Sequence, residues 1–236
     1  MKLWKRRIGI AAAYALILGG FLLGALAGSR VVTTAADARR QSRRQTVIID
    51  PGHGGEDGGA TSCTGIPESR INLEIALRLE DLVHFLGYDT KMIRTTDTSV
   101  YTQGTTIAAK KVSDLKQRVK MVNGTENALL VSIHQNQFSD SRYSGAQVFY
   151  AADSASEALA KAMQAAFVET LNPGSNRQCK QSSGVYLMEH IDCPGVLVEC
   201  GFLSNPEEEA RLRTPEYQKK VCCVIASAVS LWLCGE

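Results

Sequence analysis

From Thr46 onward the apolar positions of the chain fall into two alternating periods. Short runs rich in β-branched and aliphatic residues at Thr46–Ile49, Tyr88–Arg94, Ala128–Ile133, Gly145–Ala151, Val185–Met188 and Val196–Val198 predict strands. Between them the period lengthens. Ile71, Ile75, Leu79, Leu82 and Leu86 recur at helical spacing after Arg70 and stop at Gly87; Leu115, Val119 and Val122 mark a short helix capped by Ser113 or Asp114 and ended by Gly124. Leu159, Met163 and Ala166 share one side of a helix over Ser154–Leu171, and Pro215–Leu233 reads as a closing amphipathic helix. Thr95–Val112 and Asn172–Gly184 show no period and are expected to be loops, while Glu207, Glu208 and Glu209 after Asn205-Pro206 suit a helix N-terminus. Strands alternating with helices predict a single α/β domain: a mostly parallel or mixed twisted sheet with helices on both faces. No internal repeat is visible.

A different pattern precedes this domain. Lys2, Lys5, Arg6 and Arg7 lead into an uncharged, largely apolar stretch from Ile8 to Ser29, long enough to span a bilayer as a helix. Ala25-Leu26-Ala27 offers a signal-peptide cleavage pattern, so residues 1–29 are expected to be either a cleaved export signal or an uncleaved membrane anchor. The basic flank puts the N-terminus in the cytoplasm and the remainder outside the membrane. Residues 30–45, polar and basic, are expected to form a linker, leaving 46–236 as the catalytic domain.

Composition changes this picture little. At 236 residues and 44% hydrophobic content the chain can bury one sizeable core. Without the four basic residues of the leader, 22 Lys and Arg face 24 Asp and Glu, so the domain is nearly neutral and nothing points to nucleic acid. The seven cysteines form no C-x-x-C pair, which excludes a cysteine zinc site. Cys200, Cys222 and Cys223 lie in apolar segments and read as buried thiols; a bridge among Cys63, Cys179 and Cys193 is the alternative.

Four polar residues stand at or just after the ends of apolar runs: His53 in "VIIDPGHGG", Glu68 in "IPESRINLEIA", His134 in "ALLVSIHQN" and Glu199 in "GVLVECGF". In an open α/β sheet the loops at one strand edge converge, so distant residues can meet there around one ion or substrate. Hydrolytic zinc takes three protein ligands and keeps an open position for water, and two His with one Glu suit it. His53, Glu68 and His134 fit the ligand roles, leaving Glu199 to take a proton from water and pass it to a departing amine. Glu68 also fits a plain helix start, where a carboxylate is favoured without any metal. The glycines of "DPGHGGEDGG" invite a phosphate-binding reading, but the Walker Lys-Ser/Thr and the G-x-G-x-x-G spacing are both missing.

The blocks "DPGHGG", "ESRINL", "SIHQN" and "VLVECGFLSN" resemble, in order and separation, those of the zinc-dependent N-acetylmuramoyl-L-alanine amidases, over about Thr46 to the C-terminus. That resemblance implies one Zn²⁺ on His53, Glu68 and His134, with Glu199 as general base and acid. It also implies hydrolysis of the amide between the lactyl group of muramic acid and L-alanine in peptidoglycan. "KKVSDLKQRV", "SGAQVFY", the spacing of "NRQCK" to "YLM" and "VLVECGFLSNPEE" are similar to the spore-cortex amidases of the CwlD type. This narrower resemblance implies a role in muramic-δ-lactam formation alongside a peptidoglycan deacetylase, in the spore intermembrane space. An accessory protein completing the zinc site is left open. So are two rival functions: an inactive cell-wall-binding protein of the same fold, and a zinc peptidase acting within the stem peptide.

Around the four, Asp50 and Asn136 are candidates for orienting the histidines by hydrogen bonds, although Asp50 before Pro51 equally suits a plain turn. Gln135, where many relatives carry a smaller residue, is expected to narrow the pocket beside the metal, and His190 in its loop is a candidate substrate contact. Arg94 with Asp97 is expected to tie a loop, and Arg118 to lie on a helix surface.

Overall fold

The computed structural model describes residues 45–235. The expected signal or anchor (1–29) and all but the last residue of the expected linker lie outside the described residues. Among the described residues no helix is long and apolar enough to cross a membrane.

Within the described residues six strands form one sheet: β1 (Thr46–Pro51), β2 (Asp89–Met92), β3 (Ala128–Asn136), β4 (Gln147–Tyr150), β5 (Lys180–Gln181) and β6 (Gly195–Phe202). Their order is β2-β1-β3-β6-β4-β5. All neighbours are parallel except β4, which runs antiparallel to β6, so the sheet is mixed. The central strands β1, β3 and β6 are apolar on both faces, as strands covered by helices on each side must be.

The helices divide between those faces. On one side lie α1 (Glu68–Phe85), α3 (Ser154–Thr170) and α6 (Pro215–Cys234), which enclose the larger core around Ile49, Leu129, Val131, Ile133, Val198, Phe167 and Ile225. On the other, α2 (Ile107–Asn123) and α4 (Tyr186–His190) cover a smaller core of Ile48, Leu130, Leu197, Val122, Leu187 and Met188. The short α5 (Pro206–Leu212) leads into α6. Asn205 caps it by accepting from the Glu207 and Glu208 N–H groups, as the acidic run predicts.

Four elements depart from the periodicity. Val185–Met188 is the start of α4 rather than a strand, since so short an apolar run fits either state and burial of Leu187 and Met188 in the smaller core decides it. β5 lies inside the expected loop Asn172–Gly184, and α1 begins two residues early, at Glu68. Helix α2 begins at Ile107, inside the expected loop Thr95–Val112, with Thr106 rather than Ser113 or Asp114 as its cap. Its first turns carry exposed Ile107 and Val112 and so show no apolar stripe, while Ser113 and Asp114 accept backbone N–H groups of Val100, Thr102 and Gln103, tying the preceding excursion to the helix. All seven cysteines are free; Cys200 and Cys222 are buried as expected, whereas Cys223 is exposed.

Phe167 has no exposed surface and fills the larger core beneath β4. Phe167→Ala is expected to lower the unfolding free energy by about 3–5 kcal/mol through lost burial and the cavity left behind. Urea denaturation measures it, and a loss below about 1 kcal/mol would show that the core collapses to fill the gap.

Candidate metal centre

The parallel register sets out the site. Asp50 pairs with Ser132 across β1 and β3, and His134 with Glu199 across β3 and β6. Paired residues project to the same face, here that of α2 and α4, at the C-terminal ends of three adjacent strands. Beyond β1 the chain turns back through a glycine-rich loop, with His53 itself in the left-handed region at φ 61°. Glu68 enters as the first residue of α1.

These elements bring together His53, Glu68 and His134, whose candidate ligand atoms all lie within 4.8 Å of one another. His53 Nε2 is 3.3 Å from Glu68 Oε2, and His134 Nδ1 is 3.0 Å from Glu68 Oε1. The imidazole centroids are 5.0 Å apart. Two glycines make this approach possible. A Cβ on Gly52 would fall 2.2 Å from the His134 ring, and one on Gly59 would fall 2.6 Å from both Glu68 Oε2 and His53 Cδ2.

Two of the three are held from behind. Asp57 Oδ2 is 3.0 Å from His53 Nδ1 and also meets Lys111 Nζ at 3.2 Å, a carboxylate behind an imidazole of the kind that fixes the tautomer of a metal ligand. Glu68 accepts from the backbone N–H of Ala60 at 2.9 Å and of Gln135 at 3.1 Å, and from the Asn72 amide at 3.0 Å. Burial would push the Glu68 carboxyl up, but His134 and His53 outweigh it and hold the group far below the usual carboxylate range. Burial alone would likewise lower His53, yet Glu68 and Asp57 raise it. A buried pocket that so strongly favours positive charge beside Glu68, built from two imidazoles and a carboxylate, fits a divalent ion of zinc's ligand preference.

Glu199 differs. It stands beside His134, and its Oε2 is buried with no hydrogen-bond partner among the described residues. Burial pushes its carboxyl up to about 7, with Glu68 adding to the rise and the two histidines opposing it. A cleft of about 210 Å³ opens on this face past His53 and His134, walled by Leu115, Tyr186 and Leu197.

The remaining expected residues are placed elsewhere. Asp50 makes no hydrogen bond to a histidine; it accepts from Ser132 Oγ at 2.7 Å and pairs with Arg118. Gln135 does not narrow the cleft, because it alternates to the opposite face, where its amide meets Asn72 at 3.2 Å. Asn136 engages through its backbone carbonyl, which accepts the Leu203 N–H. His190 is exposed and stacks on Tyr186 at 3.9 Å, outside the cluster. Arg118 is not a surface residue but 3% exposed, bound to Asp50 and Asp114 and donating to the Pro51 and His53 carbonyls. Arg94 ties more than a loop: it donates to the Pro51, Gly52, Ser69 and Thr96 carbonyls. Asp57 and Asn72 were not singled out from the sequence, although their i, i+4 offsets from His53 and Glu68 are legible in "HGGED" and "ESRIN".

Known proteins resemble this chain in sequence and fold. A family model described as N-acetylmuramoyl-L-alanine amidase matches residues 47–230. The germination-specific N-acetylmuramoyl-L-alanine amidase of Bacillus subtilis (strain 168) is 40% identical over 185 residues, covering 78% of this chain and 77% of that protein. Among solved structures, the CwlD amidase from Clostridioides difficile in complex with the GerS lipoprotein aligns with a TM-score of 0.78 at 35% identity, over 81% of this chain and 100% of that one. An N-acetylmuramoyl-L-alanine amidase from Clostridium difficile 630 aligns at 0.70 and 28% identity, over 81% and 97%.

The Asp50–Arg118 pair supports the loop that carries His53, and its removal is testable. Burial would raise the Asp50 carboxyl, but Arg118, Ser132 and His134 hold it below its unfolded value of 3.8. A depressed folded pKa contributes stability that is present above 3.8 and lost as pH falls through the lower folded value. Arg118→Met leaves Asp50 buried without its cation and is expected to cost about 3–5 kcal/mol at neutral pH. Denaturation curves at several pH values should show the variant missing the wild type's acid-side loss from this pair; equal stability of the two proteins at pH 7 would refute the assigned role.

Proposed function

The chain belongs to the N-acetylmuramoyl-L-alanine amidase family, metal-dependent peptidoglycan hydrolases, and from that premise we propose that His53, Glu68 and His134 hold one Zn²⁺ while Glu199 moves the proton. The observation that carries this reading is the contrast between the two buried carboxylates: Glu68 held ionised among imidazoles, and Glu199 left bare near neutrality. When bound, zinc supplies Lewis acidity toward the scissile carbonyl and toward water.

The residues of the chain then have separate tasks. A carboxyl poised near 7 accepts a proton from attacking water at neutral pH and returns it to the amide nitrogen, which leaves only when protonated. Asp57 keeps the His53 Nδ1 proton in place, so that Nε2 presents its lone pair beside Glu68. The apolar wall of Leu115 and Leu197 excludes water from one side of the reacting bond and strengthens each charge interaction there.

The finer biological setting belongs to the same proposal. Similarity to a germination-specific amidase supports action in spore cortex, releasing stem peptides so that, with a deacetylase, muramic-δ-lactam can form. The solved complex of CwlD with a lipoprotein supports an accessory protein as partner. Residues 1–29 would export or anchor the chain, 30–45 would link it, and 46–236 would work on the outer face of the membrane, in the spore intermembrane space.

Glu199→Gln is expected to keep one zinc per chain by metal analysis and to lose activity by about 10²- to 10⁴-fold, whereas His53→Ala or His134→Ala should lose zinc as well. Retained turnover in Glu199→Gln would remove its role. Mass spectrometry of digested muropeptides, with and without added Zn²⁺, reads the bond cut. Intact stem peptides freed from glycan are expected. Shortened peptides still attached would mark a stem peptidase, and no release at all a wall-binding protein.

A further inference from the structure

Most cations near the catalytic edge are already engaged. Lys110 pairs with Glu56 and Lys111 with Asp57. Arg118 is held by two aspartates, and Arg94 is satisfied by four carbonyls. Arg177 is different. Its Nε donates to the Ser144 carbonyl at 2.7 Å and its Nη1 to Gln147 Oε1 at 2.9 Å, while the guanidinium lies 4.6 Å over the Phe202 ring. None of these partners is a carboxylate. The side chain is half-buried, and Nη2 has no acceptor among the described residues and is not enclosed, so it remains open to solvent.

Strand pairing sets this group near Glu199. Gln147 is the cross-strand partner of Glu199, so the two side chains share a face, and Phe202 follows Glu199 at the end of β6. Arg177 bridges both neighbours. Glu208 fixes the support beneath by accepting the N–H groups of Gly145 and Phe202, each at 2.9 Å, so the guanidinium is held in one place before any ligand arrives. A stacked, pinned guanidinium with one edge unused matches the planar fork of a carboxylate better than any neutral group. The peptide arm of an amidase substrate carries carboxylates, whereas its sugars offer hydroxyl and N-acetyl groups.

We propose that Arg177 determines specificity by binding a free carboxylate of the stem peptide, beyond the L-alanine side of the scissile amide. The proposal rests on the amidase reading and is tested apart from it. Two muramoyl peptides that differ only in whether the α-carboxyl of an acidic second stem residue is free or amidated provide the comparison. The wild type should prefer the free acid in kcat/KM by roughly 10- to 100-fold, mainly through KM. Arg177→Gln should bring the two values together, and Arg177→Lys, which keeps the charge but not the fork, should retain an intermediate preference. Equal wild-type rates on both peptides, or a variant that slows both alike, overturn the proposal. Should the wild type cleave neither peptide, the amidase reading fails, and titration calorimetry of the free stem tripeptide against its amidated twin still decides on Arg177: tighter binding of the acid form, lost in Arg177→Gln, supports it, and equal affinity overturns it.

Discussion

The Glu68 carboxylate is the contact on which the catalytic edge depends. It is 5% exposed, and a buried carboxylate is tolerated only where donors or positive charge surround it. Here those groups come from three separate pieces of chain: Ala60 and His53 from the loop after β1, Asn72 from the next turn of α1, and Gln135 with His134 from β3. Satisfying one carboxylate therefore fixes the loop, the helix start and the strand end relative to one another. The helix start gains as well, because Pro67 provides no side-chain cap and the first-turn carboxylate lies near the positive end of α1.

A second buried network works one layer beneath. Arg118 reaches from α2 through the smaller core to Asp50 and the carbonyls of Pro51 and His53, while Arg94 approaches the Pro51 and Gly52 carbonyls. The residues around His53 thus have almost no backbone acceptor left unsatisfied, although His53 takes a left-handed conformation that non-glycine residues seldom adopt. The arginines hold the loop in that shape, and the shape aims the imidazole at Glu68.

How much of this was legible follows from what sequence patterns encode. The strands β1, β3 and β6 announce themselves as apolar runs, and the polar residues that interrupt or follow them are the ones that meet at the edge. Glu68 fits both a helix terminus and a metal ligand by sequence, and the structure sets it at the start of α1 and within the His53–Glu68–His134 cluster, so one side chain can serve both roles. Arg118 and α2 are harder to read because that helix has little apolar stripe; of its buried residues Ser113, Arg118 and Val122, the first two are held by polar partners and Val122 alone packs in the smaller core. The side taken by Gln135 follows from strict alternation after His134 along β3, which sends its side chain to the face opposite the cleft. Asp50, which by sequence suits either an orienter of histidine or a plain turn, is claimed by an arginine sixty-eight positions away, a pairing no local pattern discloses.

The two buried glutamates then show how one edge can hold opposite proton affinities. Glu68 and Glu199 are close enough to influence each other, and both are penalised by burial. Glu68 receives three N–H donors and two imidazoles, so its charge is stabilised and its proton lost. Glu199 receives no comparable donors, and the negative charge fixed on Glu68 adds to its cost of ionising. Environments that push two like groups apart are what separate a permanent anion from a proton carrier. The arrangement therefore requires that the strand-end acid stay undersatisfied: supplying Glu199 with a backbone or amide donor would stabilise its charge and weaken the very basicity that the proposed mechanism uses.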